Sequence, residues 1–417
     1  MNACLIIIGD EILSGNTTDT NSGFIAAELK KIGISVVKII TVADEIEEVK
    51  TALREASQKA DIIFSTGGIG PTKDDKTKIA YSEFFGDGLH SDEKTLAHLK
   101  NLLEKRNRAH LFEINRSQAD VLKSATVIQN DWGTAPCQQI EKNGKIFFCL
   151  PGVPFEVKPL VRKKIIPLLA ERFSLNNFET RFVSVVDFPE SLLSQHIENW
   201  ELALPSHIQL SYLPVGNRIK LRISGKGNNQ EELSKEIDEQ IETLRPLIQD
   251  KTIAWRSDRI EEILSEILKQ KKLTVSAAES CTGGEISKLL TSVPGSSQFF
   301  LGGITAYHYH KKIEILGVSA KTISEKTVVS AEVAQEMSSG CRKLFRTEIA
   351  VSTTGVAGPA TDEFNNEVGL VYYSIRVHDF EKTFRLFLPH LDRDDFAAFV
   401  AQRVLQDLVT ILIRENY

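Results

Sequence analysis

Leu5-Ile6-Ile7-Ile8 is a short, unbroken apolar run that stops at Gly9-Asp10-Glu11. A strand that is apolar on both sides must be covered on both sides, which is the condition of a parallel sheet. The figure returns at Asp61-Ile62-Ile63-Phe64-Ser65-Thr66, which stops at Gly67-Gly68. Between them, Phe24, Ile25, Leu29 and Ile32 recur at helical spacing over 21–32, with Gly33 as a stop signal. A strand pattern over 36–41 and a helical one over 46–59 follow. This alternation predicts a parallel sheet with right-handed crossovers. Such sheets bind ligands at the carboxyl ends of their strands, where the polar, glycine-rich segments 9–15 and 67–75 fall.

The chain is 417 residues long. One core seldom grows past about 250–300 residues, so two or three domains are expected. From about 174 the texture changes to strand-like 180–186, helical 189–200, two strands (208–213 and 218–223) around a turn at Pro214-Val215-Gly216-Asn217, and a charged helix over 230–248. Gly225-Lys226-Gly227 reads as a turn at a strand end, and 251–258 as a connection. The α/β pattern then resumes: helix 260–269, strand 273–277, helix 284–290, strands 299–307, 348–352 and 369–377, and an amphipathic helix 396–413. The expected fold class is α/β: two three-layer α/β domains, 1–173 and 255–417, joined by a small α+β module over 174–254.

Charge and cysteine usage narrow the function. Lys plus Arg is 50 and Asp plus Glu is 56, a formal net charge of −6. That balance argues against gripping a nucleic-acid backbone but allows small phosphorylated ligands. Cys4, Cys137, Cys149, Cys281 and Cys341 show no C-x-x-C spacing, so neither a disulfide framework nor a zinc site is expected, and a reducing compartment is. No basic n-region precedes the first apolar run, and no window approaches the roughly 18 apolar residues of a membrane span, so a cytoplasmic protein is expected.

The densest motif is Thr66-Gly67-Gly68-Ile69-Gly70-Pro71-Thr72-Lys73-Asp74-Asp75. Its glycines would let backbone N–H groups approach an anion, and its carboxylates suit a divalent metal. Gly9-Asp10-Glu11 forms a second acidic turn, which adjacent strands would bring alongside. Gly and Asp also simply populate loops, and the residues alone leave both readings open. In the last domain, Glu279-Ser280-Cys281-Thr282-Gly283-Gly284 stands at a strand-to-helix turn. A helix N-terminus there would favour an anion or a developing oxyanion, while Ser280 would also serve as a mere N-cap. Tyr307-His308-Tyr309-His310-Lys311-Lys312 and Ser352-Thr353-Thr354-Gly355-Val356-Ala357-Gly358-Pro359 follow. His308 and His310, if on a strand, are surface residues or two ligands of a metal that lacks a third. A serine needs a base, and a buried lysine of lowered pKa is the candidate.

Gly9 to Gly15, Thr66 to Asp75, Asn115-Arg116-Ser117-Gln118-Ala119, Gly133-Thr134-Ala135-Pro136 and Leu150-Pro151-Gly152-Val153-Pro154 occur in the order seen in the CinA (competence-damage-inducible) family. This part of the chain resembles that family's molybdopterin-binding-like domain. The resemblance implies metal-dependent hydrolysis of ADP-ribose to AMP and ribose 5-phosphate. It implies ligand contacts from Gly67, Gly68, Gly70, Thr72, Asn115, Gln118, Pro151 and Gly152. Asp10, Glu11, Asp74 and Asp75 would be metal-side carboxylates, holding a divalent metal of unspecified identity, with a monovalent cation as a candidate companion. The middle segment resembles a KH-like module, but without the Gly-x-x-Gly loop that grips RNA. It reads as a spacer or dimerisation element, and nucleic acid is not an expected partner.

The last three clusters resemble the family's nicotinamide mononucleotide (NMN) deamidase domain, which releases ammonia to give nicotinic acid mononucleotide. The resemblance implies Ser280 as nucleophile, Lys312 as base and Tyr307 as orienter or relay. Thr354 with the Gly355–Gly358 backbone would hold the amide or phosphate, Thr282 and Gly283 would line the site, and Arg393 would bind the phosphate. No cofactor is required there, and a homodimer is expected. Three departures stand out: Ala360-Thr361-Asp362-Glu363-Phe364-Asn365-Asn366-Glu367 in place of a glycine-rich run, His308-Tyr309 in place of Ser-Asn, and Ala397 in place of Arg. They spare the nucleophile and base and bear on affinity and substrate choice. Two other classes stay open: a non-catalytic partner in competence or DNA repair, and a molybdopterin-binding enzyme.

Overall fold

The computed structural model describes residues 1–415 except 73, 174–176, 216–217, 256 and 258. The chain divides into two compact units, Met1–Glu179 with Gly225–Glu236, and Thr180–Ser224 with Ile237–Tyr417.

The first unit is built on a six-stranded sheet in the order Ser35–Val42, Asn2–Ile8, Ile62–Thr66, Lys145–Leu150, Cys137–Lys142, Thr126–Ile128. The first four strands run parallel and the last two antiparallel. Alternate residues of the first apolar run serve opposite cores. Cys4, Ile6 and Ile8 meet Val49 and Leu53 of helix Ile46–Lys59, with Tyr81 beside them. Ala3 and Leu5 meet Ile25 and Leu29 of helix Asn21–Lys31, with Leu160 and Ile165. Two covered faces explain why the run carries no polar residue.

A four-stranded sheet follows in the order Ile208–Val215, Arg218–Gly227, Asn177–Val186, Thr252–Ala254. The segment expected to be a plain connection thus supplies a strand, with Thr252 antiparallel to Val185. Gly225-Lys226-Gly227 closes a strand rather than forming a turn beyond it. Of the expected hairpin turn, Gly216 and Asn217 lie outside the described residues.

The third sheet runs Phe300–Thr305, Val275–Glu279, Ile349–Gly355, Leu370–Val377, Phe380–Phe387, three strands parallel and two antiparallel. Helices Ile260–Lys271 and Arg393–Arg414 supply one core, through Leu264, Leu268, Phe396, Val400, Val404 and Leu408. Helix Ala331–Phe345 supplies the other, through Val333, Met337 and Cys341. The terminal helix corrects one expectation. By length and composition it reaches what a membrane span needs, contrary to the expectation that no window does. Its apolar face is spent on this core.

Candidate functional site

Strand register assembles the first site. Ile7 pairs with Thr66 and Ile8 with Val42, so the turns after three neighbouring strands leave the sheet side by side. A cavity of about 480 Å³ opens there, lined by Glu11, Gly67, Gly68, Gly70, Thr72, Asp74, Asp75, Gln118, Pro151 and Gly152. Gly67 sits at φ 114°, and a Cβ on it would lie 2.0 Å from the Ile8 carbonyl oxygen, so no other residue fits. Thr66 Oγ1 donates to the Pro151 carbonyl (2.7 Å) and Asn21 Nδ2 to that of Gly152 (2.7 Å), tying the two loops together.

The carboxylates divide by role. Asp75 is spent on its own turn: Oδ1 accepts from the Gly70 N–H (2.7 Å), and Oδ2 from the Thr72 N–H (2.8 Å) and hydroxyl (2.6 Å). Asp75 thus pins the 70–75 turn while it also lines the cavity. Asp10 is exposed and outside the lining set, its N–H donating to Asp44 Oδ2 (3.3 Å). Burial pushes the Asp44 carboxyl above its ordinary value, and Asp10, Glu11 and Asp75 push the same way, against that hydrogen bond. Asn115 turns back to the Leu111 carbonyl (2.8 Å) and does not line the cavity. Among the described residues no three His, Cys, Asp or Glu side chains gather as a metal cage. Glu11, Asp44 and Asp74 each present a carboxylate to the cavity, the oxygen chemistry that a hard divalent ion takes, without forming a cage by themselves.

The second site is also set by register. Glu279 pairs with Thr305, and Ala278 with Ser352. Ser280, Tyr307 and Thr354 therefore emerge from three adjacent strands. They line a cavity of about 260 Å³ with Lys312, Gly355, Gly358 and Arg393. Thr353 and Thr354, expected just after a strand, lie within Ile349–Gly355. Thr282 and Gly283 line an adjoining cavity, which shares Cys281, Tyr307 and Arg393 with the first.

Lys312 is 2% exposed. It reaches the cavity from helix Tyr309–Leu316, where Nζ donates to Thr354 Oγ1 (2.9 Å), which itself donates to the Val328 carbonyl (2.7 Å). Burial lowers its pKa to about 8, against the pull of Cys281 and Asp362. Burial pushes the Cys281 thiol up to about 12, although Lys312 pulls it down. Arg393 donates to the Gly358 carbonyl (2.8 Å) and to the Tyr307 hydroxyl. Tyr307, expected as a relay, is 56% exposed and engaged with Arg393.

Two expectations about the serine turn are corrected. The cap of helix Glu285–Thr291 is Gly284, not Ser280. Nor are that helix's first N–H groups open to an anion. Glu279 Oε2 accepts from the N–H groups of Gly284 and Ile286 (both 3.0 Å) and from Thr282 Oγ1 (2.8 Å). Its Oε1 accepts from the N–H (2.9 Å) and hydroxyl (2.7 Å) of Ser287. Likewise His308 and His310 are not on a strand: His308 Nδ1 caps the helix by accepting from the His310 N–H (3.3 Å).

Four contributors escaped the sequence reading. Asp44 had a signal, because it follows its strand by two residues as Asp10 follows the neighbouring one. Asn21 had none, being read as part of a helix face. Glu156 is buried, accepts from Asn130 Nδ2 (2.7 Å), and sits where a Cβ on Gly133 would lie 1.9 Å from its Oε2. Gly133 marked that seat without revealing its occupant. Glu279 looked like the last residue of a strand, and only the folded turn shows its five donors.

Residues 257–412 match the family model described as the CinA C-terminal domain, and residues 4–171 match that of a "Probable molybdopterin binding domain". A CinA-like protein from Flavobacterium psychrophilum is 40% identical over 376 residues, 90% of each chain. Another from Cytophaga hutchinsonii is 37% identical over 389 residues, 93% of each. Among solved structures, the protein CinA of Thermoplasma acidophilum is 36% identical over 40% of this chain and 97% of its own, with a TM-score of 0.37.

Proposed function

The chain belongs to the CinA family, and on that premise we propose that its second site is a serine amidase acting on NMN. The observation that carries the reading is the buried amine of Lys312 sharing one cavity with Ser280. A pKa near 8 leaves a usable fraction of Lys312 neutral at physiological pH. Its bond to Thr354 fixes one direction of the amine, and the reading requires its lone pair to meet the Ser280 proton across the shared cavity. As Ser280 Oγ bonds to the amide carbon, Lys312 takes that proton. It returns it to the nitrogen as the C–N bond breaks and ammonia leaves. Water then cleaves the acyl-serine ester by the same route, giving the nicotinate product. Arg393, at the junction of the two cavities, would trade its bonds to Gly358 and Tyr307 for a phosphate.

The same family premise extends to the first unit as hydrolysis of ADP-ribose to AMP and ribose 5-phosphate. The glycine turn at Gly67-Gly68 and the Pro151-Gly152 loop would seat the diphosphate, with Glu11, Asp44 and Asp74 facing a divalent ion. Such an ion would neutralise the diphosphate and lower the pKa of water. A pterin ligand is the second reading, favoured by the family model matched over 4–171. Cytoplasmic residence and a homodimer complete the proposal, the dimer being checked by light scattering at micromolar concentration.

The test is ammonia release from NMN by wild-type protein and by Ser280→Ala, with and without chelator. Chelator-insensitive release that vanishes in the variant is expected. A folded wild type that releases none overturns the amidase reading. Equilibrium binding of ADP-ribose and of a pterin then separates the two readings of the first site.

A further inference from the structure

The segment that departs from the family pattern forms part of the second cavity. Ala360, Thr361, Asp362 and Glu363 line it with Ser280 and Lys312. The segment is held in place. Asp362 Oδ1 accepts from the N–H groups of Phe364 (3.1 Å) and Asn366 (2.9 Å), and its Oδ2 from Asn366 Nδ2 (2.8 Å). Asn366 Oδ1 in turn accepts from Thr327 Oγ1 (3.0 Å). Phe364 packs on the small core around Val328, Val329 and Val356, edge-on to Tyr309 at 5.7 Å. Tyr309 also lines the cavity. The result is a fixed, half-buried carboxylate, an exposed second one and an aromatic ring on one wall.

Arg393 lines both adjoining cavities, while Asp362 and Glu363 line only the one that holds Lys312; the adjoining one has its own carboxylates, Glu285, Asp394 and Asp395, beside Lys288. Asp362 is near enough to Lys312 to act on its charge. Ser280 points to a ligand at the same end: it is 6% exposed, lines the cavity, and its hydroxyl has no hydrogen-bond partner among the described residues. An amide presented to Ser280 and Lys312 would therefore carry its ring against Asp362, Glu363 and Tyr309, with an attached phosphate towards Arg393.

We infer that residues 361–364 with Tyr309 form a subsite for a positively charged aromatic ring, which selects a pyridinium amide over an uncharged ring of the same shape. This rests on the amidase reading and adds a specificity element particular to this chain. The physical basis is a pre-placed carboxylate and an aromatic residue on the same cavity, Tyr309, whose ring also stacks on His308 at 4.8 Å, inside a wall that limits the screening of a delocalised cation. Arg393 cannot supply that discrimination, because both rings carry the same phosphate.

The test uses NMN and its dihydro form, which keeps the amide, ribose and phosphate but loses the ring charge. Binding of each is measured by calorimetry to the full-length Ser280→Ala protein, which prevents turnover. We expect the pyridinium form to bind about tenfold more tightly. Asp362→Asn, which can still accept the two backbone N–H groups, should reduce the ratio to about threefold or less by weakening NMN alone. The exposed Glu363→Gln should move it about twofold in the same direction, and guards against a loop collapse in the first variant. Equal weakening of both ligands by both variants, or an unchanged ratio, overturns the subsite while wild-type ammonia release keeps the amidase reading. Binding of neither ligand, with no release by the wild type, overturns both.

Discussion

The two cavities handle charge in opposite ways. The first is lined by carboxylates, Glu11, Asp44, Asp74 and Asp75, the last of which also pins the glycine turn. The second buries one amine, Lys312, among hydroxyls and backbone. Under the proposed reading, a cation and a polyanionic ligand would offset these like charges. A lone buried amine needs no such partner: desolvation alone brings it towards neutral pH. One site is thus governed by what binds, the other by the proton.

The sharpest way to break this contrast is to remove its centres separately. Lys312→Ala should lower NMN deamidation by about 10³-fold, within the range for a lost general base, and leave ADP-ribose cleavage within twofold. Asp74→Ala should do the reverse. Asp75→Ala should also damage the first site, but by loosening the 70–75 turn, so faster hydrogen exchange at Gly70 and Thr72 should accompany it. Equal loss of both activities in either set would refute two independent sites. Chelator should act as Asp74→Ala does, and be reversed by adding divalent metal.

A somewhat smaller effect tests the proton-governed half. Lys312 acts as a base only when neutral, and its folded pKa is lowered to about 8. Deamidation kcat/KM should therefore rise about tenfold per pH unit below 8 and level off above it. Asp362 raises that pKa, so Asp362→Asn should shift the rise to lower pH. A profile that falls as pH increases through 8 would mean that Lys312 acts in its charged form.

The contrast in legibility follows the same line. Half of the first sheet and four strands of the third were legible as apolar runs ended by glycine or polar turns, and the helix over 46–59 forms with those bounds; strands Lys145–Leu150, Cys137–Lys142 and Thr126–Ile128 went unassigned, and buried Ser276, Ser352 and Thr353 interrupt the runs of the third sheet. Their strand ends then located Gly67, Gly68, Ser280 and Thr354. What stayed hidden were polar groups whose partners are far away in sequence. Glu156 depends on Gly133 and Asn21 on Gly152, while Lys312, named as the base by resemblance, owes its lowered pKa to burial that no local pattern announces. Strand Phe380–Phe387 lies at a sheet edge with no fully buried residue, so it carries no continuous apolar run to mark it.

Glu279 offers a test of architecture rather than chemistry. One carboxylate collects five hydrogen bonds, three of them from backbone N–H groups of the serine turn and the helix behind it. Glu279→Gln places an amide N–H₂ against donors, so about 2–4 kcal/mol of stability should be lost in urea unfolding. The first site's activity should not change at a temperature where the variant is folded. A loss under about 0.5 kcal/mol would mean that water replaces the carboxylate and that the turn holds itself.

The smallest expected effect bears on which side chain is the nucleophile. Cys281 is next to Ser280, lines the same cavity, and as a thiolate would be the stronger nucleophile. Burial holds its thiol near pKa 12, so the thiolate fraction at pH 7.5 is on the order of 10⁻⁴ to 10⁻⁵ despite the pull of Lys312. A serine hydroxyl does not need to ionise beforehand, because its proton can pass to the neutral amine during attack. Cys281→Ala should accordingly keep deamidation within about threefold, and iodoacetamide at pH 7.5 should inactivate slowly or not at all. Burial also predicts that alkylation of Cys281 accelerates as pH rises towards 10, well after deamidation has reached its plateau. Separation of those two pH dependences would assign the base's titration and the thiol's to different groups. If instead Cys281→Ala abolishes activity and alkylation tracks the rate profile, the covalent bond forms at sulfur and Ser280 only shapes the turn.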